Sequence, residues 1–272
     1  MKEKIITFFK GMWIGGTMTV PGVSGGSMAM ILGIYGNIIN AVGAFTKNIR
    51  KNIIFLLCLG IGGLLGILLF SKYIVIPLME HYPTPTGYFF LGAIVGGIPI
   101  IIKTANVTKF NLSVIIYPVI GMIPILLLAL MPDGFFAFGE GFGIRECAVQ
   151  ILGGVFVAVA FVLPGISLSQ VLLMMGIYEK LMLAVGNLDF KTIFSFTPLF
   201  FGIIIGTLLV AKIMNIAIEK FPQKTYLTVF GFLLASVPEL IFSIGFPVGT
   251  EIPICILTAL SGFAFIYFLQ KS

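Results

Sequence analysis

Two short stretches with the same pattern decide how this chain folds: Thr19-Val20-Pro21-Gly22-Val23-Ser24-Gly25-Gly26-Ser27 and Leu163-Pro164-Gly165-Ile166-Ser167. Each is followed by the same triplet, Gly33-Ile34-Tyr35 in the first copy and Gly176-Ile177-Tyr178 in the second, and both matches have a sequence offset of 143. A Pro-Gly pair in the middle of an apolar segment breaks the helical hydrogen-bond ladder, and a new helix can begin just beyond it. The pattern therefore predicts one broken helix in each half of the chain.

The composition around these stretches is that of an integral membrane protein. Of 272 residues, 59% are hydrophobic and 10% are charged, and the mean hydropathy is +1.16. A soluble domain is about half apolar and about a quarter charged, so soluble enzymes, nucleic-acid-binding modules and disordered chains are excluded. The apolar runs are continuous and close to the ~20 residues that a spanning helix needs, which favours helices over a β-barrel. We expect the net charge of +6 to mark cytoplasmic loops, not a nucleic-acid site.

Further matches indicate an internal duplication. Residues 66–72 (GILLFSK) resemble residues 206–212 (GTLLVAK) at an offset of 140, and Gly92 matches Gly231 at an offset of 139. We divide the chain into a first repeat, residues 1–140, and a second repeat, residues 141–272, which together form one membrane domain. Each repeat holds one interrupted apolar segment and three ordinary helices. The interrupted segments are 8–45 and 148–187; the helices are predicted at 53–78, 87–103, 112–131, 195–218, 225–243 and 252–270.

The positive charges indicate whether the interrupted segments cross the membrane. If they cross, seven basic residues lie on each side, with Lys72 and Lys212 set aside; if they dip in and return, eleven lie on one side and three on the other. Cytoplasmic loops carry the excess of Lys and Arg, so residues 11–45 and 151–187 are predicted to be re-entrant, with both termini cytoplasmic. Three crossings per repeat then invert the second repeat relative to the first, as in many secondary transporters. The predicted fold is an all-α integral membrane protein of two inverted repeats, each a re-entrant helical hairpin plus three transmembrane helices.

The two turns of the interrupted segments, here called the first tip (residues 21–27) and the second tip (residues 164–170), form the candidate site. A glycine turn before a helix N-terminus presents unpaired N–H groups, and nearby hydroxyls add donors, so the tips suit an anion. The alternative is that Gly and Pro merely permit the helix breaks, but two matched tips that both carry serines favour the anion site. The predicted substrate-binding residues are Pro21, Gly22, Ser24, Gly25, Gly26, Ser27, Pro164, Gly165, Ser167, Ser169 and Gln170.

Three ionisable residues lie within predicted helices, where burial of a charge is costly. Lys72 and Lys212 occupy matching repeat positions, five and six residues before the assigned helix ends at Pro77 and Ile218, which corresponds to about 8–9 Å. They would either guide an anion at the two entrances or snorkel to the interface. Glu239 has no counterpart in the first repeat, and it would serve either proton coupling or as an interfacial carboxylate.

No motif indicates catalysis. The sequence has no P-loop, no His-Glu-x-x-His and no plausible triad of Ser, His and Asp. Cys58, Cys147 and Cys255 are too far apart for a metal spacing or a disulfide framework. We therefore expect a membrane transporter and not an enzyme, with no metal and no cofactor.

The doubled motif resembles that of the bacterial polyprenyl-phosphate translocase family, over essentially the whole chain. Its most specific elements are the two Pro-Gly tips and the Gly-Ile-Tyr triplets quoted above. The resemblance implies recycling of undecaprenyl phosphate from the outer to the inner leaflet of the bacterial cytoplasmic membrane for cell-wall synthesis. It implies polyprenyl phosphate and membrane lipids as partners, no nucleic acid, and it is compatible with a homo-oligomer. Because Leu168-Ser169-Gln170 replaces Gly25-Gly26-Ser27, the first tip is expected to offer more backbone donors.

Two other functions stay open on the sequence alone. One is a secondary transporter of a water-soluble anion or small solute, and the other is a membrane scaffold that transports nothing. A lipid tail is already soluble in the bilayer, so only its phosphate needs a shielded path, which inverted repeats opening alternately to each leaflet would provide. A scaffold would have no need for paired polar tips.

Overall fold

The computed structural model describes residues 2–20, 22–107, 111–132, 134, 143–187 and 189–270, and every regular element among them is a helix. In residues 1–140 these are α1 (Lys2–Thr17), α2 (Gly25–Ile31), α3 (Tyr35–Gly43), α4 (Ile49–Leu65), α5 (Ile76–His81), α6 (Pro83–Thr104) and α7 (Ser113–Ala129). In residues 141–272 they are α8 (Ile144–Val162), α9 (Leu168–Met174), α10 (Tyr178–Gly186), α11 (Phe190–Ser195), α12 (Thr197–Lys220), α13 (Pro222–Ile244) and α14 (Glu251–Leu269). A 3₁₀ turn, Phe45–Asn48, precedes α4, and a π-helix, Gly66–Val75, joins α4 to α5.

Six helices in the described ranges are long and apolar enough to cross a membrane: the continuous run Phe45–His81 and helices α6, α8, α12, α13 and α14. The crossing predicted at 112–131 is the shorter α7, of 17 residues, which span about 26 Å of a hydrocarbon core of ~30 Å. Conversely, the 19-residue α8 lies in a segment predicted to be re-entrant and is long enough to span. Leu57, Leu208 and Leu257 are exposed on the outer surface, as lipid-facing side chains are in a multi-pass membrane protein.

The helix ends predicted at Pro77 and Ile218 were wrong. The first helix continues through α5 to His81, and α12 continues to Lys220. Pro77 lies in the interior of the run Phe45–His81, two residues after the π-helix Gly66–Val75. A proline in a helix interior removes one backbone hydrogen bond and can kink the helix, but it need not end it. Lys72 therefore lies nine residues before its helix end and Lys212 eight, about 13 and 12 Å at 1.5 Å per residue and deeper than predicted.

The short helices α2 and α9 have seven residues each; α2 lies in the core, whereas α9 exposes Leu168 and Ser169 at its start. Met28 and Ile31 of α2 are fully buried, as are Leu233 and Leu240 of α13. The axes of α2 and α3 differ by 118°, so the chain turns sharply after α2. The predicted helix breaks are thus confirmed, and the longer helices enclose α2.

Glycines allow α1 to pack directly on α4. A Cβ on Gly11 would meet the carbonyl oxygen of Leu59, and a Cβ on Gly15 would meet that of Gly63, one turn further along both helices. Because the contacts advance in the same direction along both helices, α1 and α4 run parallel. Small residues at helix contacts let backbones approach closely where no hydrophobic effect drives association.

The same arrangement joins α8 to α12. A Cβ on Gly154 would lie 2.7 Å from Gly202 Cα, and one on Gly206 would lie 2.7 Å from Ala158 Cβ. These contacts also advance together, so α8 and α12 are parallel. Gly154 corresponds to Gly11 at an offset of 143, and Gly202 corresponds at an offset of 140 to Gly62, which contacts Phe8 of α1. The glycine contacts of the two helix pairs are thus related by the same offsets, 143 and 140, as the matched sequence motifs.

Two further features relate the remaining helices. Single residues with nearly equal backbone angles, Tyr82 (φ −137°, ψ 59°) and Phe221 (φ −135°, ψ 59°), connect α5 to α6 and α12 to α13. Such short connections make consecutive helices antiparallel. Helices α6 and α14 are parallel, because Gly92 meets Ala259 and Gly96 meets Phe263 one turn later.

We expect Gly15→Ala to destabilise the protein, because the new methyl group would overlap the Gly63 carbonyl. Overpacking of this kind costs about 1–3 kcal/mol. Gly60→Ala is the matched control, since a Cβ on Gly60 of α4 meets no atom within 4 Å. Thermal unfolding in detergent should give a lower midpoint for Gly15→Ala and an unchanged or slightly higher one for Gly60→Ala. Equal midpoints for the two variants would contradict the close packing of α1 on α4.

Candidate functional site

The two tips, which lie far apart in the sequence, contact each other directly. The backbone N–H of Gly165 in the second tip donates to Ser24 Oγ and Ser27 Oγ in the first, each at 3.1 Å. A Cβ on Gly26 would lie 2.9 Å from Pro164 Cα. The structure thus brings together predicted site residues of both tips; Pro21, also predicted, lies outside the described residues.

Glycine is required at one position in each tip. Gly22 has φ of +74° and Gly165 has φ of +82°, a left-handed conformation that residues with a Cβ rarely adopt. Both also lie against α13: a Cβ on Gly22 would be 2.7 Å from Leu240 N, and a Cβ on Gly165 would meet the Phe232 carbonyl. The two Pro-Gly pairs therefore allow both turns to pack on one helix.

The hydrogen-bonding roles of Ser24 and Ser27 follow from a count of lone pairs. Ser24 Oγ caps α2 by accepting the Ser27 N–H at 3.1 Å and also accepts the Gly165 N–H, which uses both of its lone pairs. It must therefore donate in its 2.8 Å contact with Ser27 Oγ. Ser27 Oγ then accepts from Ser24 and Gly165, and its own proton has no acceptor among the described residues. Because Ser27 is only 1% exposed, this buried donor needs an acceptor from a ligand or water.

The second tip contributes fewer side-chain groups to this junction. Ser167 precedes α9 without a side-chain capping bond, and Ser169 is exposed. Within the described part of the chain, neither serine nor Gln170 bonds to the first tip. The N–H groups of Gly25 and Gly26 likewise donate to no described acceptor. The junction therefore offers backbone N–H groups and a free hydroxyl proton, with most side-chain donors on the first tip.

Both helices that start at the tips are short. Since α2 and α9 have seven residues each, their macrodipoles are small and add little to anion binding. What the junction can supply is a cluster of neutral hydrogen-bond donors inside the protein. Such donors bind an anionic oxygen without placing a buried cation in the membrane.

Several polar contacts around the tips were not anticipated from the sequence. Ser71 of the π-helix donates to Thr19 Oγ1 at 2.9 Å, and the Tyr35 hydroxyl donates to the Val162 carbonyl at 3.2 Å. At the far end of α2, Lys10 Nζ donates to the Leu32 carbonyl at 2.9 Å. In the sequence, each of these residues is recognisable only as a polar side chain within or beside an apolar segment. The sequence does not identify its hydrogen-bond partner.

A chain of polar side chains also connects α3 to α12. Asn40 Nδ2 donates to Asn215 Oδ1 at 3.2 Å, and Asn215 Nδ2 donates to Glu219 Oε1 at 2.9 Å. Lys47 Nζ lies 3.6 Å from the same carboxylate oxygen. Asn215 is buried, so its amide is satisfied at both ends. We call this the Asn40–Lys47 polar chain; it holds α3 against α12.

No hydrogen bond or ion pair joins Lys72, Lys212 or Glu239 to the described residues of the tips. Lys72 and Lys212 are exposed, and Lys72 Nζ is 5.6 Å from the centre of the Tyr73 ring. Glu239 is half-buried and directly precedes Leu240, whose backbone contacts Gly22. Among the described residues, no three His, Cys, Asp or Glu side chains are grouped as they would be around a metal ion.

Comparisons with known proteins agree on one family. The family model of the undecaprenyl phosphate translocase-like proteins matches residues 14–244. The chain is 31% identical over 240 residues to a polyprenyl-phosphate transporter of Staphylococcus aureus (strain NCTC 8325 / PS 47), covering 86% of this chain and 84% of the relative. It is 26% identical over 253 residues to a polyprenyl-phosphate transporter of Vibrio cholerae serotype O1 (strain ATCC 39315 / El Tor Inaba N16961), covering 86% of this chain and 76% of that protein.

No solved structure gave a significant match. The family match extends from α1 to the end of α13 and contains both tips, so it includes the whole junction described above. The chain therefore belongs to the undecaprenyl phosphate translocase-like family.

Proposed function

We propose that this protein transports undecaprenyl phosphate from the outer to the inner leaflet of the bacterial cytoplasmic membrane and binds the phosphate at the tip junction. The relatives that share most of its length are named polyprenyl-phosphate transporters. The observation that carries the proposal is the buried Ser27 hydroxyl, whose proton has no acceptor among the described residues. A phosphate oxygen is the acceptor that this donor and the neighbouring N–H groups would bind together.

In the proposed mechanism, a phosphate oxygen competes with the serines for the Gly165 N–H. The Ser24 and Ser27 hydroxyls would rotate to donate to the phosphate, and the N–H groups of Gly25 and Gly26 would complete its coordination. Ser167, Ser169 and Gln170 would add donors from the second tip once the two turns separate. The prenyl tail stays in lipid throughout, so the protein needs to enclose only the headgroup.

Alternating access requires that the halves be inverted, and the helix directions support this. Because α1 and α4 are parallel, the chain between them must return to the end of the bundle where α1 began, as a re-entrant segment does. The parallel packing of α8 and α12 supports the same path for residues 151–187. Helix α6 is antiparallel to the run 45–81 and parallel to α14, and α12 runs in the same direction as α14. The run 45–81 of the first repeat therefore points in the opposite direction to α12, its counterpart in the second repeat. This difference favours inverted repeats.

The topology can be tested by labelling single cysteines with a membrane-impermeant reagent. Cysteines in place of Lys2 and Asn48, in a background without Cys58, Cys147 and Cys255, should react from the same, cytoplasmic face. A cysteine placed in the 244–250 turn should react from the opposite face and serves as the control. Labelling of positions 2 and 48 from opposite faces would contradict the re-entrant segment and the inverted repeats.

Loss of the tip hydroxyls should weaken lipid-phosphate binding. Hydrogen bonds to a charged group are worth about 1.5–3 kcal/mol each, so Ser24→Ala with Ser27→Ala should reduce affinity at least about tenfold. Binding of undecaprenyl phosphate to purified protein and its flux in proteoliposomes are the measurements. The control is Ser243→Ala with Ser261→Ala, which removes two hydroxyls that bond only to their own helices.

Single Ser27→Ala separates binding from folding, because Ser24 can still accept the Gly165 N–H. It should lower affinity several-fold while thermal unfolding stays near that of the wild type. Normal binding and transport by the double variant would mean that the tips are structural breaks only. Flux of inorganic phosphate in place of lipid phosphate would instead identify a carrier of water-soluble anions.

Lys72 and Lys212 are proposed to guide the phosphate at the outer and inner entrance, respectively. Lys72→Met should slow capture from the outer leaflet more than release to the inner one, and Lys212→Met should have the reverse effect. Leaflet-resolved uptake in proteoliposomes measures both, with Lys→Arg at each position as the control that keeps the charge. Normal transport in both directions by both methionine variants would identify the lysines as interfacial anchors.

Glu239 is proposed to couple transport to protons. Its half-buried side chain lies in sequence between Phe232 and Leu240, the two residues of α13 whose backbones contact the tips. A negative charge near a bound phosphate repels it, and protonation of the carboxylate would remove that repulsion. Among the described residues, the carboxylate has no hydrogen-bond or ion-pair partner. A structural contact of that kind therefore does not account for an acidic residue at this position.

A further inference from the structure

A cleft of about 820 Å³ lies between α1, α3 and α4, at the end of the bundle where α1 begins. The charged side chains that line it are Glu3, Lys4, Arg50 and Lys51. Apolar lining comes from residues further along α4, such as Phe55 and Cys58. Cys58 is nine residues beyond Ile49, about 13 Å along the helix, so the cleft runs from a charged end to an apolar one.

The charges of the cleft are not balanced. Lys4, Arg50 and Lys51 are exposed, and none of them forms an ion pair within the described part of the chain. Glu3 is the one carboxylate among the described lining residues. The neighbouring Lys47, by contrast, pairs with Glu219 and does not line the cleft. Three cations against one carboxylate make the open end of the cleft attractive to an anion.

A general excess of cytoplasmic lysines and arginines does not explain this arrangement. The positive-inside rule concerns the number of cations in loops, not their position around a cavity. Here Lys4 and the pair Arg50 and Lys51 come from two different helices and line one cleft whose other end is apolar. That combination fits an amphiphile with a phosphate at one end and a hydrocarbon chain at the other.

The wall of the cleft formed by α3 is fixed in position. Asn37 and Asn40 of α3 line the cleft, and the Asn40 amide is held by Asn215 in the Asn40–Lys47 polar chain. On the opposite side, Asn52 of α4 donates to the carbonyls of Ala44 and Phe45. A wall that is already ordered loses little entropy when a ligand binds.

We propose that this cleft is a second phosphate-binding site, which receives the headgroup of polyprenyl phosphate after it leaves the tip junction. Lys4, Arg50 and Lys51 bind the phosphate, and the first prenyl units lie along Phe55 and Cys58. The proposal rests on the proposed transport function and assigns the inner-leaflet end of the path.

The test is photocrosslinking with a polyprenyl phosphate that carries a diazirine next to the phosphate, on the full-length protein in nanodiscs, with peptide mapping by mass spectrometry. In the wild type, label should appear in residues 36–58. The variant Lys4→Gln, Arg50→Gln, Lys51→Gln should lose this label about tenfold or more, since each basic residue near the surface contributes to binding a lipid phosphate. The matched control, Lys2→Gln, Lys103→Gln, Lys224→Gln, changes the net charge equally and should keep it.

The outcomes distinguish this site from the tip junction. Ser24→Ala with Ser27→Ala should retain label in residues 36–58, so a failure of the tip proposal leaves the cleft testable. Absence of label in the wild type, or equal loss in the two triple variants, would overturn the proposal. Equal labelling by a matching phosphatidylglycerol probe would also overturn it, because the cleft would then bind anionic lipids in general.

Discussion

The hydrogen bonds from the Gly165 N–H to Ser24 and Ser27 join the two places where the helices of this protein are broken. In a hydrocarbon environment an unpaired backbone group costs several kcal/mol, so irregular backbone must find its partners within the protein. The first tip supplies acceptors for the backbone of the second tip, and both turns pack on α13. The surrounding long helices enclose this polar junction, and separating the halves would expose it.

The glycine contacts of the two halves correspond, but the halves are not identical. The π-helix Gly66–Val75 has an ordinary α-helical counterpart in α12. The Asn40–Lys47 polar chain joins α3 to α12, whereas the second repeat has Leu183 at the position that matches Asn40 in the register of the two tips. Transport by alternating access needs two packings of similar free energy. In the proposed mechanism, the equivalent glycine contacts would keep the two packings similar in free energy, and the unequal polar contacts would distinguish them.

The proposed phosphate sites use different chemistry at different depths. At the tip junction the donors are neutral hydroxyl and N–H groups, because a permanently buried cation would be expensive in the membrane interior. In the cleft the groups are exposed lysines and an arginine, whose charges are screened by water and bind weakly. A carrier that holds its substrate moderately at both points avoids trapping it at either.

The membrane class, the doubled pattern and the positions of the helix breaks were determined by the sequence alone, because hydropathy and Pro-Gly pairs act locally on the backbone. Which groups meet was not. The tip partners Ser24 and Gly165 are 141 residues apart, and Asn40 and Asn215 are 175 apart, so only the packing of the helices brings them together. The helix end expected at Pro77 was wrong because the run Phe45–His81 continues through the proline, two residues after the π-helix Gly66–Val75. Local chemistry decided where the chain bends, and tertiary packing decided which polar groups become partners. An unpaired polar group is costly in the membrane interior, so a donor and an acceptor that the folded helices bring within reach form a hydrogen bond.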